Sequence, residues 1–125
     1  MSRISSRSWI AAAALALVAS LAPRPAFAIK QFADEFKAVY VKEGTPLAAE
    51  VETAKCNVCH VGKSKKDRNA YGEALAQRLD KKEDKDNTDK IRKALEEVAA
   101  LPSQESGKTF GDLIQAGKLP GGPAQ

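Results

Sequence analysis

The stretch AKCNVCHVGK, residues 54–63, holds both cysteines of the chain, Cys56 and Cys59, and its only histidine, His60. The residues before it have helical spacing. Leu47, Val51 and Ala54 fall at i, i+4 and i+7, on one face of a helix that runs straight into Cys56. After His60 comes VGKSKKDRN, residues 61–69, which is polar and loop-like. Two thiols three positions apart on one turn point to the same side, and the histidine follows them directly. The stretch therefore joins a helix to a loop, with its reactive side chains grouped at the junction.

Working outward, the same helical period recurs. Phe32, Phe36, Val39 and Tyr40 share a helix face, and Gly44 stops that helix. Thr45-Pro46 is a cap followed by a proline at the first helical position. Tyr71, Leu75 and Leu79 predict a third helix over 69–79, with Asn69 as its cap. Residues 80–87, DKKEDKDN, mix both signs of charge and read as a solvated helix end and loop. Asn87 or Thr88 caps a fourth helix carrying Ile91, Leu95 and Val98, with Pro102 beyond its end. Thr109 and Asp112 have capping-box spacing for a short last helix bearing Phe110, Leu113 and Ile114, stopped by Gly117 and Pro120. No strand and no internal repeat stands out. The expected fold is all-α, a bundle of four to five short helices.

C-x-x-C-H is the attachment motif of c-type haem. Each thiol adds to one vinyl group at the edge of the ring, and His60 is placed to bind the iron from below. The imidazole nitrogen that does not bind iron ordinarily donates to a carbonyl, which sets the tautomer. Three other readings of the same residues stand beside it. The cysteines could form a plain disulfide. They could be a thioredoxin-like redox pair, which expects a strand–helix context absent here. They could join His60 in a zinc site, which would need a carboxylate as fourth ligand. On the haem reading the expected site is Cys56, Cys59 and His60, with His60 as the metal ligand and the Tyr71 ring packed on the haem. A small core gains most from such a large apolar disc.

The N-terminal residues predict export. Residues 1–9 carry Arg3 and Arg7 and no acid, residues 10–22 (IAAAALALVASLA) are apolar apart from Ser20, and Ala26 and Ala28 have the A-x-A arrangement of a cleavage site. This predicts a signal peptide over residues 1–28, a domain over 29–120 and a disordered tail over 121–125. Pro-Arg-Pro at 23–25 cuts the apolar run short of the ~20 residues of a membrane span, so no stable anchor is expected. The expected location is periplasmic or secreted. Removing Arg3, Arg7 and Arg24 takes the net charge from +4 to +1. A chain so nearly neutral is no nucleic-acid binder by charge. No carboxylate pair, activated nucleophile or phosphate loop stands out, so no enzyme activity is expected.

In these features the sequence resembles the small monohaem cytochromes c. The likeness rests on Cys56-Asn57-Val58-Cys59-His60 after a helix, with more helices behind it. A second echo is Arg68-Asn69-Ala70-Tyr71-Gly72, similar to a pattern that follows C-x-x-C-H in several bacterial haem c proteins. The resemblance implies covalent haem c, a cytochrome c-like bundle packed around it, His60 as proximal ligand, and single-electron transfer between redox protein partners. The class I pattern also implies a distal methionine, and here the only methionine is Met1. The chain also looks like small cytochromes of planctomycete-type bacteria that work as pairs with unusual distal ligands such as cysteine. Here both cysteines are engaged by the vinyl groups, so that ligand does not carry over. A second cytochrome subunit is then a further expected partner. The far side of the iron has several readings: an open face that binds carbon monoxide or nitric oxide, a weaker ligand from the chain (a lysine such as Lys108 or Lys118, a tyrosine, an asparagine or the amino terminus), or a ligand from a partner. Arg68 is a candidate partner for a haem propionate.

Overall fold

The computed structural model describes residues 27–64 and 66–125. The expected signal segment, 1–28, lies outside them apart from Phe27 and Ala28. Five α-helices follow in order: α1 Phe27–Tyr40, α2 Pro46–Ala54, α3 Ala70–Ala76, α4 Thr88–Ala99 and α5 Phe110–Gln115. A 3-10 turn, Lys55–Val58, extends α2 into the cysteine stretch. There is no strand among the described residues. Two isolated bridges, His60–Arg68 and Pro102–Thr109, pin loops together. The all-α expectation is borne out.

The caps show why the helices start where they do. Thr45 Oγ1 accepts from Ala48 N, Asn69 Oδ1 from Gly72 N and Asn87 Oδ1 from Lys90 N. Each side chain satisfies one of the amides that a helix start leaves free. At α5, Thr109 and Asp112 form a reciprocal capping box.

Helix α4 is the hub, packing against α1, α3 and α5. Its Ile91, Leu95 and Val98 are all but fully buried. Arg92 pairs with Glu35 at 2.7 Å, and Tyr40 Oη donates to the Leu95 carbonyl at 3.1 Å, tying α1 to it. Three rings link the other helices. Tyr71 meets Phe36 edge-on at 5.9 Å and Phe110 at 5.3 Å, joining α3 to α1 and α5.

Three expectations need correction. Val39 is exposed, because α1 ends one residue later and the chain turns Val41 against the core instead. Helix α3 stops at Ala76, and Leu79 reaches the core from the following turn. The charged stretch 80–87 is not wholly solvated. Asp84 is buried, accepting from Asp80 N at 2.7 Å and from Lys90 Nζ at 2.7 Å. The tail 121–125 lies against the cysteine stretch. The Gln125 carbonyl accepts from Asn57 Nδ2 at 2.8 Å and from Gly62 N at 3.1 Å.

Asp84 gives the fold an acid sensitivity. The Lys90 ammonium and then the Asp80 amide hold its carboxyl below the ordinary value of 3.8. A group whose folded value is depressed stabilises the fold above its unfolded value and loses that contribution as pH falls through the folded one. The melting temperature is therefore expected to drop as pH falls below about 4, and Asp84→Asn to flatten that slope while lowering stability at pH 7. Melts of both proteins from pH 7 to pH 2 check this. Parallel curves would show that Asp84 carries none of the dependence.

Candidate functional site

Helix α2 delivers the cysteines to the surface through a strained residue. Lys55, at φ 50° and ψ −113°, is the one non-glycine residue with positive φ among the described residues. Such a conformation costs about 1–3 kcal/mol. Its effect is to break the register between Ala54, buried, and Cys56, exposed. The 3-10 turn then buries Val58 and leaves Cys59 half-covered. Both thiols are free. Burial, and then the neighbouring Cys56, pushes the Cys59 thiol up to about 12, so it is protonated at neutral pH.

His60 follows with its ring almost covered, 8 % exposed. Nδ1 lies 3.2 Å from the Asp67 carbonyl, which only an Nδ1–H can satisfy. The neutral ring then carries its lone pair on Nε2, the nitrogen available to a metal. Asp67 is itself held in place, since Val61 N donates to the same carbonyl at 3.0 Å. Sequence reading did not single out Asp67. It acts through its backbone, and no side-chain pattern signals a backbone role.

Tyr71 stands behind this turn with no exposed surface. Its hydroxyl is buried with no hydrogen-bond partner. Burial, and then Cys59 and Tyr40, raises the phenol well above 10.0, so it remains a donor. A buried hydroxyl without a partner costs about 1–3 kcal/mol and calls for an explanation.

Arg68 flanks the site, its backbone bridged to that of His60. Arg68 Nη1 sits 3.6 Å from Glu73 Oε1. Lys108 and Lys118 converge on one carboxylate, Glu105, at 3.0 Å and 3.8 Å. Lys108 in particular holds the Glu105 carboxyl below its ordinary value of 4.5.

The donor set fits a covalently attached haem. Two free thiols lie on one turn, an imidazole offers Nε2, and a buried hydroxyl near Cys59 lacks a partner. A zinc ion would need a further ligand, and among the described residues no group of three or more Cys, His, Asp and Glu side chains is placed to hold a metal. Fold and site together define a small all-α domain presenting a C-x-x-C-H turn. Comparison with protein-family models, curated proteins and solved structures gave no match.

Proposed function

We propose that the chain is an exported, non-enzymatic monohaem cytochrome c that carries single electrons between redox protein partners in the periplasm or outside the cell. The observation that carries this reading is the state of His60, whose Nδ1 is committed to the Asp67 carbonyl beside two free thiols. When bound, haem c supplies a reversible one-electron change at its iron.

The chain's own residues have distinct tasks. Cys56 and Cys59 would hold the haem through two thioethers, each formed by adding S–H across one vinyl group, so that no oxidant would be consumed. His60 would bind the iron through Nε2, with the Asp67 carbonyl orienting the ring and setting its tautomer through Nδ1. Tyr71 offers one buried hydroxyl and a ring face held by Phe36 and Phe110.

A second reading, a gas-binding or sensing haem protein with an open far side, draws support from Glu105. It engages Lys108 and Lys118, the two lysines that chain position favours as far-side ligands. A subunit that takes its sixth ligand from a second cytochrome is the related case.

One spectrum separates these. The ferrous protein is expected to be low-spin and to bind carbon monoxide slowly or not at all if a strong sixth ligand is present. A high-spin spectrum with rapid binding favours the open site. A colourless product with two titratable thiols, after export in cells that attach haem c, removes both readings.

A further inference from the structure

Segment 67–72 is wrapped around the cysteine turn by bonds that a helix cap does not require. As the cap of α3, Asn69 needs only its Oδ1, which accepts from Gly72 N at 2.9 Å. Its other side-chain atom, Nδ2, reaches back across the turn and donates to the Val58 carbonyl at 2.9 Å, with the Asn57 carbonyl at 3.5 Å. Its backbone amide donates to the Cys59 carbonyl at 3.0 Å. One residue thus bonds to three consecutive carbonyls of the turn, those of Asn57, Val58 and Cys59. Gly72 closes the contact from the other side, since a Cβ there would collide with the Cys59 carbonyl oxygen. The tail backs the same residue, because a Cβ at Gly121 would run into the Asn69 amide.

We propose that Asn69, backed by Gly72, is the positioning residue that holds the Cys56–His60 turn in the shape needed for haem attachment. The purpose rests on the haem reading above, while the clamp itself rests on the hydrogen bonds. The two halves of the side chain do different work. The oxygen starts α3, and the nitrogen fixes where the turn lies relative to α3. Only asparagine joins both at this length. Serine and aspartate cap a helix about as well, but neither donates to Val58 at this reach.

The test separates cap from clamp. In haem-free protein at one fixed pH, alkylation of Cys56 and Cys59 is followed residue by residue by mass spectrometry. Asn69→Ser keeps the cap and is expected to keep the far-ultraviolet spectrum. It is expected to raise the Cys59 rate relative to Cys56 roughly tenfold, because the turn opens locally more often. Gly72→Ala, which wedges α3 away from Cys59, is expected to do the same. In parallel, the exported Asn69→Ser protein is expected to carry a smaller fraction of covalent haem than the unaltered chain. Unchanged Cys59 labelling in the folded variants, or raised labelling with haem loading unchanged, overturns the proposal.

If neither variant folds, hydrogen exchange in the unaltered protein decides. The Asn69 side-chain amide protons should exchange roughly tenfold more slowly than those of an exposed glutamine, and equal rates overturn the clamp. An unaltered chain that stays colourless counts against the haem reading alone, and the labelling ratio then still decides the clamp.

Discussion

Replacing Cys56 and Cys59 together with serine is expected to abolish covalent haem while leaving the haem-free fold intact. The unaltered chain, exported in cells that attach haem c, should show the added mass of one haem and a pyridine haemochrome spectrum. The double variant should show neither. The size of the effect is all-or-none because no other cysteine exists to form a thioether. The fold should tolerate the change. Cys56 is exposed, and Cys59 packs only at the edge of the core, where serine nearly matches its size. Removing a sulfur so placed is expected to cost about 1 kcal/mol, the ordinary size of a single-substitution effect. Intact helical content without colour would therefore isolate attachment from folding. An unaltered chain that is colourless and lighter by two hydrogens would point to a disulfide instead.

At Tyr71 the expected result is a change of sign. Tyr71→Ala removes a ring with no exposed surface that touches both Phe36 and Phe110. Large-to-small changes of this kind cost about 3–5 kcal/mol, a large share of the about 5–15 kcal/mol that holds a domain together. The haem-free variant should be largely unfolded, or melt far below the unaltered chain. Tyr71→Phe keeps the ring and deletes only the unpartnered hydroxyl. Removing that desolvated group should stabilise the haem-free protein by about 1 kcal/mol, within the range set by an unmade buried hydrogen bond. If bound haem, as proposed, supplies the partner that hydroxyl lacks, the same change should destabilise the haem-loaded protein. Urea melts of both proteins, with and without haem, measure the two signs. A Tyr71→Phe change that destabilises the haem-free protein would show that the hydroxyl is already satisfied.

The C-x-x-C-H turn of the candidate site was legible because it is made of rare residues in a local pattern. Cys56, Cys59 and His60 exhaust the thiols and imidazoles of the chain, and a short turn keeps neighbours in sequence as neighbours in space. Helix starts were legible for the same reason. Thr45, Asn69, Asn87 and Thr109 each bond the amide three residues on, an interaction that closes within one turn.

What sequence reading missed came from contacts between distant parts of the chain. DKKEDKDN has the composition of a solvated loop, yet Asp84 is buried because Lys90, on the next helix, supplies the compensating charge. Lys108 and Lys118 flank an apolar turn and read as far-side ligand candidates. Both also pair with Glu105, in the loop before α5, a contact the sequence did not show. Asn69 read as a cap, and its second role depends on a turn that lies a loop away.

By itself, then, the amino-acid order determined an all-α chain with a C-x-x-C-H turn after its second helix, because helical period, capping and motif spacing act over a few residues. Only the tertiary structure decided that α4 is the hub, that Tyr71 is sealed between two rings with its hydroxyl unanswered, and that Asp67 and Asn69 hold the cysteine turn through backbone carbonyls. Those outcomes depend on which surfaces meet when the helices pack. Burial and backbone hydrogen bonding across loops leave no local signature for a sequence to display.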